Sequence, residues 1–339
     1  MTSPASELES HTRTSGDHSP DGTAVEQIAG RSPTQLAMFR FRKDKLSMAA
    51  FAIVAFYLIV GILAPLMVKF GVLDPFTNHS SAKFLDIEGG GIPKGFLGGV
   101  SLSHPLGLEP GIGRDVLSRL VLGITTSLAI ALAATIVAVG VGTVLGIVSG
   151  FVGGFVDATI GRLIDLTLSF PQTLMLLSLS GLAVATLIKI GVPAGDLANG
   201  IYVTFVLGLF GWPPIARIVR GQVLSIRERE FIEAARLMGA PRRRMYFKEV
   251  LPNLWAPLLV YFTLTMPAYI SAEAALSFLG VGVKPPTPTL GNILTDSITY
   301  SQADFFFFFI PAFLIAVIVV SFNLLGDGIR DALDPRGAR

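Results

Sequence analysis

Six long apolar stretches, separated by polar segments, dominate the pattern along this 339-residue chain. A helix rises about 1.5 Å per residue, so about 20 apolar residues cross about 30 Å of hydrocarbon. Every one of the six stretches reaches that length. The pattern therefore predicts an all-α integral membrane protein with six transmembrane helices, which cover about residues 46–68, 124–148, 166–188, 197–216, 254–276 and 305–326.

The polar segments divide the rest of the chain. Residues 1–45 are rich in Ser, Thr, Gly, Asp and Glu, which is typical of a disordered tail. Residues 69–121 contain several glycines and prolines and predict a partly structured loop. Residues 221–253 are the most charged part of the second half, and residues 328–339 form a short polar tail.

Composition agrees with a membrane protein. Hydrophobic residues make up 51% of the chain and charged residues only 15%, and the mean hydropathy is +0.65. Soluble domains carry about 25% charged residues. There is no cysteine, so disulfides, a thiolate nucleophile and a zinc–cysteine site are all excluded.

The distribution of Lys and Arg predicts the orientation. With both termini inside, the inner segments hold 19 of the 26 Lys and Arg residues and the outer segments hold 7. The positive-inside rule then places both tails and the loop 221–253 in the cytoplasm, and the loop 69–121 outside. The protein is thus expected to be a multi-pass protein of the cell membrane.

Glycines and prolines inside the spans predict close packing and irregular helices. Gly142, Gly146 and Gly150 recur every four residues, so the second helix has a face that a neighbouring helix can approach closely. A proline removes one helical hydrogen bond. The prolines expected to bend or interrupt their helices are Pro171 in the third, Pro213–Pro214 in the fourth and Pro267 in the fifth.

Charged residues are rare within the spans. Glu273 lies 19 residues after Leu254, about 28 Å along the fifth helix and therefore near its outer end. The favoured interpretation is a buried hydrogen bond to a neighbouring helix or loop, and the alternative is a role in a translocation path. Asp165 follows Arg162 by three residues and is expected to pair with it.

The outer loop contains residue types that also occur in catalytic and metal sites, namely His104, Glu109, Arg114 and Asp115. The favoured interpretation is structural: Pro and Gly make a turn, and Asp115 caps a short amphipathic helix that ends near Gly123. No histidine stands at metal-ligand spacing, so no metal or cofactor is expected. The chain also lacks G-x-x-x-x-G-K-[ST], so it cannot hydrolyse a nucleotide by that route.

The loop 221–253 predicts two short helices joined by a tight turn. The first covers Glu228–Met238 and ends at Gly239, which adopts the left-handed conformation without a side-chain clash. The second begins at Pro241 and runs through "RRRMYFKEV". The apolar face of the first helix would hold Phe231, Ala235 and Met238.

Three interpretations of this loop compete. Arg242–Arg244 can contact anionic lipid. A DNA-binding helix-turn-helix is disfavoured because short tethers hold the loop against the bilayer, so no nucleic-acid partner is expected. The third interpretation is a docking element for a soluble protein, because the small side chains of Ala234 and Ala235 permit close approach.

The stretch "EAARLMGAPRRRMYFKEVLPN" resembles the EAA loop of ABC importer permeases. That pattern is E-A-A, three residues, G, and a Leu-Pro ending about nine residues later. The matching residues are Glu233, Ala234, Ala235, Gly239, Leu251 and Pro252.

Further stretches resemble the permeases of dipeptide and oligopeptide importers: "HPLG" with "GRDVLSRL" in the outer loop, "DLTLSFP" at 165–171 and "EAALSFLGVGVKPPTPTLGNIL" at 273–294. This chain departs from that family at two places. One is Leu108-Glu109, and the other is Glu249, where the family frequently has a histidine.

The resemblance implies the five-helix core of type I importer permeases over residues 122–327, preceded by one extra N-terminal helix. It implies a non-enzymatic permease that forms half of a peptide pathway with a second, related permease. Two cytosolic ATPases, or one fused ATPase, would bind the EAA loop, and an extracytoplasmic binding protein would deliver the solute. Related importers of nickel, haem or another small solute stay open, as do a secondary transporter and a membrane-embedded enzyme.

Overall fold

The computed structural model describes residues 33–95 and 97–334. Within them, six helices are long and apolar enough to cross a membrane, which confirms the predicted number. The helices are α1 Pro33–Lys43, α2 Lys45–Lys69, α3 Val116–Val152, α4 Gly154–Ser169, α5 Gln172–Lys189, α6 Asp196–Ile226, α7 Glu230–Leu237, α8 Arg242–Arg244, α9 Trp255–Phe278, α10 Leu290–Thr299 and α11 Phe305–Leu333. A small antiparallel pair in the outer loop consists of β1 Leu85–Asp86 and β2 Ile92–Pro93.

The second spanning helix is longer than predicted. Helix α3 begins at Val116, so the outer loop ends at Asp115 and not at residue 121. Asp115 caps this spanning helix by accepting a hydrogen bond from the Ser118 N–H at 2.8 Å. The separate short helix ending near Gly123 was a wrong prediction, because Val116 and Leu120 are buried and extend the packed face of the long helix by two turns.

The third spanning segment, predicted over 166–188 with a bend or interruption at Pro171, is interrupted at that proline. Helix α4 ends at Ser169, Phe170 is extended (φ −96°, ψ 133°), and α5 starts at Gln172. Pro171 explains the break, since it has no N–H to donate and disfavours helical geometry in the residue before it. The prolines at 213–214 and at 267 lie inside unbroken helices, so only Pro171 interrupts its helix.

Both ends of the described chain are helical. Helix α1 lies within the stretch predicted to be a disordered tail, and residues 1–32 of that tail lie outside the described residues. Helix α11 continues to Leu333, past the predicted end at residue 326. The two extended ends pack against each other. A β-carbon at Gly328 of α11 would overlap the side chain of Ser47 and lie 3.5 Å from the ring of Phe41.

Helix α6 also extends beyond its predicted end at residue 216, to Ile226. Its last turns carry arginines that pair with α4. Arg217 donates to Asp165 at 2.9 Å, and Arg220 makes two hydrogen bonds to Asp157, at 2.5 and 2.7 Å. The predicted pairing of Asp165 with Arg162 is therefore wrong, since the carboxylate reaches the neighbouring helix instead.

The glycine face of α3 packs directly against α6, as predicted. A β-carbon at Gly142 would lie 2.8 Å from Cβ of Ile215, and one at Gly146 would lie 2.7 Å from the carbonyl oxygen of Ala216. Gly150 repeats the same contact near Val223 one turn further on. The two helices thus approach along three successive turns without intervening side chains.

Replacing Gly146 with leucine should separate α3 from α6. Overpacking of this kind typically costs about 1–3 kcal/mol. We expect a lower thermal unfolding temperature of the purified protein, measured in detergent. Gly140→Leu is the matched control, because Gly140 lies on the same helix and a β-carbon there meets no atom within 4 Å. Equal losses in the two variants would contradict the packing argument.

Candidate functional site

The EAA segment forms a short helix, α7, that is anchored on one side only. Ile232 is fully buried and Ala235 is 3% exposed, whereas Glu233 and Ala234 are exposed. The predicted apolar face was partly wrong, because Phe231 and Met238 are exposed as well. The helix starts two residues later than predicted, at Glu230. The residues that face the protein are Ile232 and Ala235, which lie three positions apart on one side of the helix.

The turn after α7 is a glycine cap, as predicted. Gly239 has φ +73° and its N–H donates to the carbonyl of Arg236 at 3.0 Å. The N–H of Ala240 donates to the carbonyl of Ala235 at 3.1 Å. This pair of bonds is the Schellman arrangement, which requires a left-handed residue at the Gly239 position. The cap therefore gives the end of α7 a defined shape.

The segment after the turn is helical but irregular. It starts with Arg242–Arg244, continues as a π-helix over Met245–Val250 and a 3₁₀-helix over Leu251–Leu254, and enters α9 without a break. Pro252 lacks the N–H that a regular helix would use there, which explains the change of helical type. Leu251 is half-buried and Pro252 is exposed. Glu249 lies 3.8 Å from Arg244, between Oε1 and Nε.

We call residues 227–254 the arm, and two contacts hold this arm against the end of α3 at Gly150 and Phe151. The rings of Tyr246 and Phe151 meet edge to face, with centroids 5.1 Å apart. The guanidinium of Arg227 donates from Nη1 to the carbonyl of Gly150 at 3.1 Å. Met245 and Val250 are buried beside them.

Glu273 is fully buried and lies between three elements. Its carboxylate accepts hydrogen bonds from Ser127 on α3 and Ser277 on α9, both at 2.9 Å. The hydroxyl of Ser127 also accepts from the Leu290 N–H at 3.0 Å. This geometry fits the packing interpretation, since Glu273 connects α3, α9 and the start of α10.

A buried ionic cluster in the outer region was not predicted from the sequence. Arg114 makes two hydrogen bonds to Glu109, at 2.6 and 2.8 Å, and Nε of Arg119 lies 3.5 Å from the same carboxylate. Arg119 also approaches Asp296 of α10 at 3.8 Å. Burial, and then the charge of Glu109, raise the pKa of Asp296. A buried Arg cannot be distinguished from an exposed one by sequence spacing alone.

Oδ1 of Asp115 accepts a hydrogen bond from Nδ1 of the neighbouring His104 at 3.0 Å, which holds the outer turn against the start of α3. In residues 33–95 and 97–334, no group of three His, Asp or Glu side chains is placed to hold a metal ion.

The six helices of spanning length define an all-α integral membrane protein. In fold, the chain is similar to the MetNI methionine ABC transporter in an inward-facing conformation, with a TM-score of 0.50 and 22% identity. That match covers 64% of this chain and 97% of the solved chain. Because the match covers almost the whole solved chain, the part of this chain outside the match is an addition to the shared permease core.

Residues 142–339 match the family described as binding-protein-dependent transport system inner membrane component, and the chain belongs to this family. Residues 32–83 match the N-terminal TM domain of oligopeptide transport permease C. The chain is thus a permease subunit of an ABC importer, a multi-pass inner-membrane protein that is not itself an enzyme and works with ATPase and substrate-binding partners.

Relatives are similar over nearly the whole length. A dipeptide transport system permease protein of Alkalihalophilus pseudofirmus is 32% identical, covering 92% of both chains. An oligopeptide transport system permease protein of Haemophilus influenzae is 33% identical, covering 91% of both. A glutathione transport system permease protein of Salmonella typhimurium is 35% identical over 90% of this chain and 91% of its own.

Proposed function

We propose that this chain forms half of the translocation pathway of an ATP-driven importer of dipeptides or oligopeptides. The relatives named above support the substrate class, because a dipeptide, an oligopeptide and glutathione are all small peptides. The alternatives of nickel and haem have no comparable support among these relatives. The similarity extends over about nine-tenths of the chain.

The exposed tip of α7 carries the proposal for ATPase coupling. Leu237 is 83% exposed and Met238 is 75% exposed, and both lie at a turn whose shape Gly239 fixes. Two large apolar side chains on a rigid polar arm are typical of a protein-docking surface. The docking element consists of Glu233, Ala234, Ala235, Gly239, Leu251 and Pro252, with Ala235 on its anchored side.

The coupling would be mechanical. An ATPase that closes on ATP would move α7 toward its counterpart on the second permease. Tyr246 and Phe151 would pass that motion to α3, and the glycine face would carry α6 along. This lever needs the arm to be stiff, and the Schellman cap and the buried Ile232 supply that stiffness.

The proposed assembly contains a second, related permease, two cytosolic ATPases or one fused ATPase, and an extracytoplasmic binding protein. Helix α5 supports a second permease, because Leu176 is its only buried residue within this chain. The proposed orientation has both termini in the cytoplasm, which places the arginine-rich arm on the ATPase side.

Reconstitution of the complete complex tests the substrate class. ATP hydrolysis would be measured in proteoliposomes with the binding protein loaded with dipeptide, with oligopeptide, with Ni²⁺ or with haem. We expect stimulation by the peptide-loaded binding protein. Stimulation by Ni²⁺ or haem alone would reject the peptide proposal while leaving the importer family unaffected.

A further inference from the structure

An apolar cavity of about 560 Å³ lies between α1, α2, α9 and α11, and the proposed function makes no use of it. Eleven of its twelve lining residues are apolar, among them Met48, Phe51, Trp255 and Leu259. Its volume falls within the range of about 300–1,000 Å³ that is usual for small-molecule sites. Because water finds almost no polar partner in such a cavity, its surface favours an apolar ligand.

The cavity lies where three spanning helices end. Its lining residues come from near the start of α2, near the start of α9 and near the end of α11. Helix α9 has 24 residues and is therefore about 36 Å long, slightly more than the hydrocarbon core of about 30 Å. Its first residue, Trp255, thus reaches the boundary between hydrocarbon and headgroups, where tryptophan is enriched. The cavity is accordingly at headgroup level, on the side of the membrane where α11 ends.

Helix α1 forms a defined wall of this cavity. The rings of Phe41 and Phe51, which both line it, meet edge to face with centroids 6.2 Å apart. Nη1 of Arg40 donates to the carbonyl oxygen of Asp334 at 2.9 Å, which ties α1 to the residue that follows α11. Contacts to α2 and to the end of α11 therefore hold α1 beside the cavity.

The twelfth lining residue, Arg42, is a cation. It is exposed, as are Lys43 and Lys45, which follow it in the chain. Within residues 33–95 and 97–334, none of the three side chains takes part in an ion pair. The carboxylate of Asp44, which stands between them in sequence, caps the start of α2. An apolar cavity edged by such cations is complementary to an amphiphile with an anionic head, and cationic segments next to a spanning helix attract anionic lipids.

We propose that this cavity binds an anionic phospholipid of the surrounding bilayer. One acyl chain lies in the cavity against Phe51 and Trp255, and the phosphate group pairs with Arg42. The lipid would join α1 and α2 to the start of α9, which continues from the arm. The inference rests on the membrane class of the chain. The proposed orientation adds only that the lipid belongs to the cytoplasmic leaflet, and the peptide substrate class plays no part.

Trp255 is a built-in reporter for this site. The chain has two tryptophans, and Trp255 is 68% exposed whereas Trp212 is 4% exposed. The full-length chain would be reconstituted in phosphatidylcholine bilayers that contain rising fractions of brominated phosphatidylglycerol or, separately, of brominated phosphatidylcholine. Bromine quenches indole fluorescence on contact. Trp255→Phe measures the part of the signal that comes from Trp212, and this part is subtracted.

We expect half-maximal quenching of Trp255 at a fraction of brominated phosphatidylglycerol about fivefold lower than that of brominated phosphatidylcholine, the factor that one cation near a charged headgroup supplies. Arg42→Gln should remove most of this preference, and Arg42→Lys should keep it. Arg243→Gln is the matched control, because it removes an exposed cation from the arm, outside the cavity, and should leave the preference unchanged.

Three results would overturn the proposal. Equal quenching by the two lipids would mean that Trp255 contacts only the general lipid layer. A preference that survives Arg42→Gln, or that Arg243→Gln removes to the same extent, would come from overall surface charge. No quenching by either lipid would mean that a protein segment, such as residues 1–32 of this chain, covers the cavity.

Discussion

A Gly239→Val variant is expected to abolish transport and ATPase association while the protein still inserts into the membrane. Gly239 has φ +73°, a conformation that costs a residue with a β-carbon about 1–2 kcal/mol. A β-carbon there would meet no atom within 4 Å, so the effect comes from the backbone and not from a clash. The turn would have to change its conformation, and the exposed tip at Leu237 and Met238 would change its direction.

Co-purification of the ATPase and solute uptake in proteoliposomes are the measurements. Two controls separate the turn from general damage. Gly239→Asn should keep much of the activity, because Asn tolerates the left-handed conformation. Gly221→Val tests a glycine of α6 that has equally open surroundings but no positive φ. Normal uptake by Gly239→Val, or equal loss in Gly221→Val, would contradict a docking role for this turn.

The sequence predicted the number of spanning helices and the turn at Gly239 because both depend on local composition. Twenty apolar residues have few alternatives to a membrane helix. A glycine after a run of helix-forming residues has a strong preference for the cap position. The glycine face of α3 was predictable for a similar reason, since a repeat of four residues falls on one side of a helix.

The features that the sequence did not predict depend on tertiary contacts. Asp165 has Arg162 within reach on its own helix, yet it pairs with Arg217 of α6, which no local rule indicates. The buried face of α7, with Ile232 and Ala235, is decided by the segments against which the helix packs, and its own eight residues do not indicate them. A bend or an interruption was expected at Pro171, but the exposure of Phe170 and Gln172 on either side of it is visible only in three dimensions.

The outer ionic cluster also depends on tertiary contacts that the sequence does not indicate. His104, Glu109, Arg114 and Asp115 were interpreted as structural residues of a capped turn, and that interpretation did not include the ion pair between Glu109 and Arg114. Glu109 is 2% exposed and accepts from Arg114 while lying close to Arg119. Glu109 therefore places a carboxylate at the centre of the cluster, which joins the outer loop to α3 and α10.

Replacing Glu109 with glutamine should destabilise the outer region by about 3–5 kcal/mol, the usual effect of removing one partner from a buried ion pair. Among the residues that the structure describes, the two buried guanidinium groups would then have only Asp296, 3.8 Å from Arg119, within ion-pair distance. Trypsin cleavage of the outer loop after Lys83 and Lys94, both exposed, is the measurement, and cleavage should become much faster than in the unmodified protein.

Glu88→Gln is the matched control, because it removes the same charge from an exposed position of the same loop and should leave cleavage unchanged. Arg119→Met is a second variant, whose effect on cleavage can be compared with that of Glu109→Gln. Within the described residues the guanidinium nitrogens of Arg119 make no hydrogen bond, and its removal leaves the two-bond pair of Glu109 and Arg114 intact. Its effect should therefore be smaller than that of Glu109→Gln. If Glu109→Gln behaved like Glu88→Gln, the cluster would not hold the outer loop, because a buried arginine pair without its shared carboxylate cannot keep the same packing at no energetic cost.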